Sequence, residues 1–134
     1  MNYYNEIKTE LINNEITKRV KDYSKNRSDL TTYYNVGKLL AEAGKHYGEN
    51  VIGKYANKLK IDLNKKYNER NLRYMRKFYE LFVNQNWNTM FSNLTWSHYR
   101  EVLSLGNFNE ISYYVKVVAL LPLQAYHPVI PGFF

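Results

Sequence analysis

The sequence predicts an all-α protein, a compact multi-helix bundle of about five or six helices. The chain has 134 residues, of which 45% are hydrophobic and 23% charged, a composition typical of one globular domain with a real core. It has only six glycines, and its three prolines all follow residue 121, so the interior lacks the regular turns of an all-β fold. Apolar residues recur at intervals of three and four, as on one face of a helix.

The first predicted helix covers residues 4–23. Charged side chains fill much of its surface outside one apolar face, as in an amphipathic helix that packs on a core. That face consists of Tyr4, Ile7, Leu11 or Ile12, Ile16, Val20 and Tyr23. The polar residues 25–27 then predict a loop.

The second predicted helix begins after Ser28 or Asp29, either of which is a suitable N-cap, and ends near Gly44. Gly37 lies inside this helix, where glycine costs about 1 kcal/mol relative to alanine. Such a glycine indicates that another helix or backbone segment approaches closely.

The third helix is predicted over residues 50–63, and residues 64–67 connect it to a fourth helix that Asn68 caps. The inward side chains of the third helix are Val51, Ile52, Tyr55, Leu59 and Leu63. At about 100° per residue, the core side of the fourth helix consists of Leu72, Met75, Tyr79 and Phe82.

A basic row lies on the opposite side of the fourth helix. Arg70, Arg73 and Lys77 form this row, with Tyr74 beside it and Arg76 on its flank. Two helices with a short connection, the second carrying exposed cations near its N-terminal half, form the arrangement of a helix-turn-helix reader. The pattern therefore predicts a helix-turn-helix-like pair whose second helix lies along nucleic acid.

The positive charge of the chain is concentrated in residues 54–77. Nine basic and two acidic residues in this stretch account for the whole formal net charge of +7. Such a stripe attracts a polyanion, and nucleic acid is the commonest one. A charged face that is merely solvated is the alternative.

Two further helices are predicted after residue 94. The first begins at Thr95 as its N-cap and buries Trp96, Tyr99, Val102 and Leu103. Asn107 and Glu110 have the spacing of a capping box, so they start a last helix that runs through Val118.

Four short motifs carry a resemblance to a known family. They are Tyr34-Asn35-Val36-Gly37; Tyr47-Gly48; Arg70-Asn71-Leu72 with Met75 and Phe78-Tyr79; and Leu94-Thr95-Trp96-Ser97-His98-Tyr99. In order and spacing, over roughly residues 15–115, they resemble the N-terminal domain of the YhcG-type PD-(D/E)xK nuclease family. The resemblance implies a helix-turn-helix-like module that precedes a separate nuclease domain, binds nucleic acid or a partner, and occurs near restriction or other defence loci.

The chain departs from that family after its helical part. Nuclease chemistry needs an Asp and a Glu-x-Lys that converge on a divalent metal, and Glu6-Ile7-Lys8, the only such tripeptide, has no Asp before it. We therefore expect no enzymatic activity, no metal and no cofactor. We predict a helical domain over residues 1–119 and an apolar, Pro-containing tail over residues 120–134. That tail is a truncated or frameshifted remnant, or an arm that packs on a neighbour.

Other catalytic chemistry is excluded by geometry. Ser97 and His98 are adjacent on a predicted helix, so their side chains point about 100° apart and cannot act as nucleophile and base. His46, His98 and His127 have no spacing typical of metal ligands, and the chain has no cysteine.

We expect a cytoplasmic, non-catalytic module that binds nucleic acid, DNA rather than RNA. The residues predicted to contact phosphates are Arg70, Arg73, Arg76, Lys77, Lys58, Lys65 and Lys66, with Asn71 or Tyr74 at bases where they are exposed. The alternative is a protein-interaction or oligomerisation module that docks an acidic partner. A nuclease domain or subunit and a second copy of the chain are the other expected partners, and no membrane is involved.

Overall fold

The computed structural model of the protein describes residues 2–20, 25–83 and 95–104. These ranges hold five α-helices and no strand. The helices are α1 (Tyr3–Val20), α2 (Lys25–Tyr47), α3 (Val51–Asp62), α4 (Glu69–Phe82) and α5 (Trp96–Leu103). The predicted all-α fold is confirmed. None of the described helices is both long and apolar enough to cross a bilayer.

The chain divides into two compact units, Met1–Glu80 and Leu81–Phe134. In the first unit α1 packs along α2, and α2 also contacts α3. The fully buried side chains of this unit include Ile7, Leu11, Leu30, Val36, Leu40, Ile52, Leu59, Leu72, Met75 and Phe78. Buried positions recur at three- and four-residue intervals within each helix, as at Leu30, Tyr33, Val36 and Leu40 of α2, so one apolar face of each helix forms the core.

Gly37 lies where α2 and α4 approach each other closely. A Cβ atom at this position would lie 2.1 Å from the backbone oxygen of Met75 and 2.8 Å from Cβ of Tyr79. Beside this crossing the rings of Tyr34 and Tyr79 meet edge to face, with centroids 5.2 Å apart. The prediction that Gly37 permits a close helix approach is confirmed.

The inward face of α1 differs from the predicted one. Ile12 and Ile16 are 37% and 53% exposed, whereas Asn14 is buried and its Nδ2 donates to Oδ1 of Asp29 at 2.9 Å. The face that packs on the core therefore continues from Leu11 to Asn14. An amide can occupy this buried position because Asp29 satisfies it.

Both ends of α2 were predicted wrongly. Residues 25–27 belong to the helix rather than to a loop, and Asp29 lies inside it, where it accepts from Asn14 and pairs with Lys18 at 3.0 Å. The helix continues past Gly44 to Tyr47. It stops there because Gly48 adopts a φ of +87°, which favours glycine, and the Gly48 N–H bonds to the carbonyl of Gly44 at 2.8 Å.

The connection between α3 and α4 is short, and hydrogen bonds hold it in place. Asn68 Oδ1 accepts the backbone N–H of Asn71 at 2.8 Å, so Asn68 is the N-cap that the sequence predicted. Tyr67, just before the cap, is almost completely buried, and its hydroxyl donates to Oε1 of Glu15 on α1 at 3.2 Å. The start of α4 is thus tied to α1 as well as to α3.

The second unit is described only in part. Within it Phe82, at the end of α4, stands edge-on to Tyr99 of α5, with ring centroids 5.9 Å apart. Trp96, Tyr99 and Leu103 are buried, as predicted. The side chain of Val102, the last predicted helix, the tail and the boundary at residue 119 lie outside the described residues.

Candidate nucleic-acid interface

The outer face of α3 is basic. Ile52, Ala56 and Leu59 are buried on one side of this helix, and Lys54 and Lys58 are exposed on the other. Since Lys54 and Lys58 are four residues apart, their side chains stand one turn apart along the helix. Nζ of Lys58 lies 4.3 Å from the centre of the Tyr4 ring, a cation–π contact.

Two further cations continue the exposed positive surface beyond α3. Lys65 is exposed in the connection, and Arg70 is exposed in the first turn of α4. The guanidinium of Arg70 lies 5.7 Å from the ring centre of Tyr74, and its Nε donates to the Tyr74 hydroxyl at 3.4 Å. The predicted association of Tyr74 with the basic face is thus a direct contact with Arg70.

Acidic neighbours hold the remaining arginines of α4. Arg73 donates from Nε to Glu69 at 2.9 Å and from Nη1 to Glu49 at 3.2 Å. Nη1 of Arg76 donates to both oxygens of Glu49 at 2.8 Å, and its Nε lies 3.2 Å from Glu80. The face of α4 therefore carries alternating charges rather than a free row of cations.

These ion pairs shift the pKa values of Glu49 and Arg73. The hydrogen bond from Arg76, with a smaller contribution from Arg73, holds the pKa of Glu49 below its usual value. The hydrogen bonds that Arg73 donates to Glu69 and to Glu49 raise the pKa of its guanidinium. Lys77 is half-buried and also engages another group. A phosphate that reached Arg73 or Arg76 would have to replace a carboxylate that is already bound.

Lys66 also has a partner. Its Nζ donates to Oε1 of Glu15 at 2.6 Å, and the same oxygen accepts the Tyr67 hydroxyl. The hydrogen bond from Lys66 is the main reason that the pKa of Glu15 is lowered, although burial opposes the shift. Lys66 therefore joins α1 to the connection between α3 and α4.

Asn71 was expected to reach a base only if its side chain was exposed, and it is not exposed. Its side chain is buried, and its Nδ2 donates to the carbonyl of Lys66 at 3.0 Å. This amide fastens the connection onto the first turn of α4. Tyr74, which is half-buried, is the better placed of the two predicted base-contacting residues.

The predicted site residues left out Lys54 and Lys60, although both belong to the basic stretch 54–77, and sequence reasoning missed Glu49. Lys54 and Lys60 are exposed cations, and the helical periodicity of α3 could have placed Lys54 beside Lys58. Glu49 gave no comparable signal. It is separated by 24 residues from Arg73 and by 27 residues from Arg76, so only the fold brings the three side chains together.

A comparison with protein families finds one family whose model matches most of the chain. The model of the DUF1016 N-terminal domain, which is the YhcG-type N-terminal domain, matches residues 6–120. The family predicted from the four sequence motifs is therefore confirmed. No curated protein and no solved structure shows significant similarity to the chain.

Proposed function

The chain belongs to the DUF1016 N-terminal domain family, and on that premise we propose that it is a cytoplasmic, non-catalytic module that binds nucleic acid, with DNA as the ligand. The observation that carries the proposal is that five exposed cations within the basic stretch 54–77 form no ion pair with any described carboxylate. They are Lys54, Lys58, Lys60, Lys65 and Arg70.

The chemistry of this surface suits phosphate rather than a specific base sequence. Lysine ammonium groups are flexible point charges, and they bind the phosphate backbone by releasing condensed counterions. Arg70 adds a planar guanidinium that can bind one phosphate through two N–H groups. Its contact with Tyr74 orients this group at the start of α4.

The non-catalytic part of the proposal is supported by the surroundings of the one Glu-x-Lys tripeptide. Glu6 and Lys8 lie two residues apart on α1, so their side chains point in widely different directions. Lys8 pairs instead with Asp62 at 3.6 Å. Glu6 and Lys8 therefore do not converge on one point, as the Glu and Lys of a Glu-x-Lys nuclease motif must.

The proposal is tested by fluorescence anisotropy with labelled duplex DNA, single-stranded DNA and RNA at several salt concentrations. If five cations each contact a phosphate, the log of the affinity for duplex DNA falls with log salt at a slope of about −4.5. The double variant Lys58→Gln/Lys65→Gln should bind more weakly, with a slope shallower by about 1.8.

The matched control is Lys38→Gln/Lys45→Gln, which removes two exposed lysines of α2 and the same charge. We expect this control to bind nearly as well as the unmodified chain. Absence of binding at low salt, or equal weakening in both double variants, would contradict the proposed interface.

A second candidate function is the docking of a protein partner, and the exposed isoleucines of α1 favour it. Ile12 and Ile16 line an open pocket of about 290 Å³, together with Leu63 and Lys66. An Ile12→Ser/Ile16→Ser variant tests this function by sedimentation, since it should abolish self-association or partner binding and leave nucleic-acid affinity unchanged.

A further inference from the structure

A shallow pocket of about 490 Å³ lies where the start of α1, the end of α2 and the first turn of α3 meet. It is lined by Asn2, Tyr3, Tyr47, Val51, Lys54 and Tyr55. Three of the six lining residues are tyrosines, and Lys54 is the one charged residue among them. The pocket thus combines aromatic surface, hydroxyl groups and a single positive charge.

Tyr47 is the most accessible of these tyrosines. It is 64% exposed, because α2 ends at Tyr47 and the chain turns away at Gly48. The ring of Tyr3 meets it nearly edge-on, at 77° with centroids 6.3 Å apart, and Tyr3 in turn stacks on His46 at 5.9 Å. Tyr47 is therefore supported on one side while much of its ring remains open to a planar ligand.

The pocket is continuous with the basic surface of α3. Lys54 belongs both to the pocket and to the outer face of α3, one turn from Lys58. Lys58 in turn lies over the ring of Tyr4, and that ring is 5.6 Å from the ring of Tyr55, which lines the pocket. A nucleic-acid strand whose phosphates follow Lys58 and Lys54 would therefore bring a base to the tyrosines.

We propose that this pocket binds an unpaired nucleobase, which stacks on Tyr47 while Lys54 contacts the adjoining phosphate. The inference rests on the proposed function and specifies its ligand as nucleic acid with a single-stranded segment. Aromatic rings bind any base through its π-face, whereas the bases of an intact duplex are stacked on each other and offer no free face. Burial raises the pKa of Tyr55, with smaller contributions from the nearby Tyr47 and Tyr3. A tyrosine hydroxyl is protonated at neutral pH and can donate a hydrogen bond to a base.

The experiment uses a single-stranded oligonucleotide that carries one 2-aminopurine, whose fluorescence falls when it stacks, and a duplex of the same sequence. The unmodified chain should bind the single strand and quench the probe. Tyr47→Ala should lose the quenching and bind the single strand about tenfold more weakly, which is the effect of one lost base–aromatic stack. Its affinity for the duplex should stay within twofold.

Tyr47→Phe is the matched control, since it keeps the ring and removes only the hydroxyl, and we expect it to retain the quenching. Circular dichroism should show the helices of all three proteins intact, because Tyr47 is largely exposed. Unchanged quenching and affinity in Tyr47→Ala would overturn the base pocket and leave the proposed function standing. An equal loss on both ligands would also overturn it, because Tyr47 would then serve backbone binding in general. Failure of the unmodified chain to bind either ligand would overturn both proposals.

Discussion

Glu49 binds Arg76 through both of its carboxylate oxygens, each 2.8 Å from Nη1 of the arginine. One of these oxygens also accepts Nη1 of Arg73 at 3.2 Å. Glu49 lies in the turn between α2 and α3, so one acidic residue holds two arginines of α4 that the sequence assigned to nucleic acid. Any phosphate that approaches these arginines competes with a carboxylate already in place.

We predict that Glu49→Gln increases affinity for nucleic acid. The substitution releases Arg73 from one of its two carboxylates and Arg76 from its bidentate partner, and it removes a negative charge beside both. Each arginine that gains a phosphate should steepen the dependence of log affinity for duplex DNA on log salt by about 0.9. Anisotropy titrations at several salt concentrations measure this change.

The control for this prediction is Glu10→Gln, which removes one negative charge from α1, where Glu10 shares an open pocket with Glu6, Asn35, Lys38 and Glu42. It should increase affinity less and leave the salt slope unchanged. If both variants gain equally, only net charge matters, and the competition between Glu49 and phosphate is refuted.

Gly37 and Gly44 provide a matched pair for the packing of α2. Gly37→Ala should destabilise the protein by about 3 kcal/mol, since the new methyl would overlap the Met75 carbonyl and the backbone cannot move freely. Gly44→Ala has open space around the new methyl and should stabilise the helix by about 0.5–1 kcal/mol. Urea unfolding followed by circular dichroism compares them, and similar free energies of unfolding for both variants would refute the close crossing.

Glu15 should contribute to the loss of stability in acid. Its pKa in the folded protein is lowered from 4.5, chiefly by the hydrogen bond from Lys66. The contribution is therefore fully present above pH 4.5 and is lost as the pH falls through the lowered value. Because the side chain is partly exposed, the effect is about 0.5 kcal/mol.

Glu15→Gln tests this contribution. The variant should be less stable than the unmodified chain at pH 7, and the difference between the two should shrink as the pH falls below 4.5. Urea midpoints measured from pH 7 down to pH 3 provide the comparison. Parallel curves over that range would show that the ion pair with Lys66 adds nothing.

The N-cap of α4 should contribute about 1 kcal/mol to the free energy of unfolding. Asn68→Ala removes the oxygen that accepts the Asn71 N–H, and it should lower the free energy of unfolding by that amount. Asn68→Ser keeps a side-chain oxygen that can accept this N–H, and serine is as good an N-cap as asparagine. It should therefore remain close to the unmodified protein in urea unfolding, and a loss equal to that of alanine would show that the cap is not required.

Local patterns predicted much of the fold. Most of the predicted inward positions of α3 and α4 are buried, although Tyr55, Leu63 and Tyr79 are only half-buried. The cap at Asn68 and the close approach at Gly37 were each predicted correctly from a single residue. The errors on α1 and α2 have another origin. Asn14 is buried only because Asp29 satisfies it, and no local pattern shows that partner.

The candidate site was predicted less completely for the same reason. Helical periodicity places Arg70, Arg73 and Lys77 on one side of α4, but it gives no information about what faces them. Glu49 reaches Arg73 and Arg76 only after α3 and α4 have folded together. Within residues 54–77, the exposed cations left without a carboxylate partner among the described residues are Lys54, Lys58, Lys60, Lys65 and Arg70. Most of them therefore lie on α3 and in the connection rather than in the predicted row on α4.

The most direct test of the central claim is a two-dimensional ¹⁵N NMR titration of the chain with a short oligonucleotide that has a duplex part and a single-stranded end. We expect the amide signals of Lys54, Lys58, Lys65 and Arg70 to shift together, while those of Glu6 and Glu10 on α1 stay in place. Shifts confined to residues 12–16 of α1, or no shifts at saturating oligonucleotide, would contradict it and favour the protein-docking function.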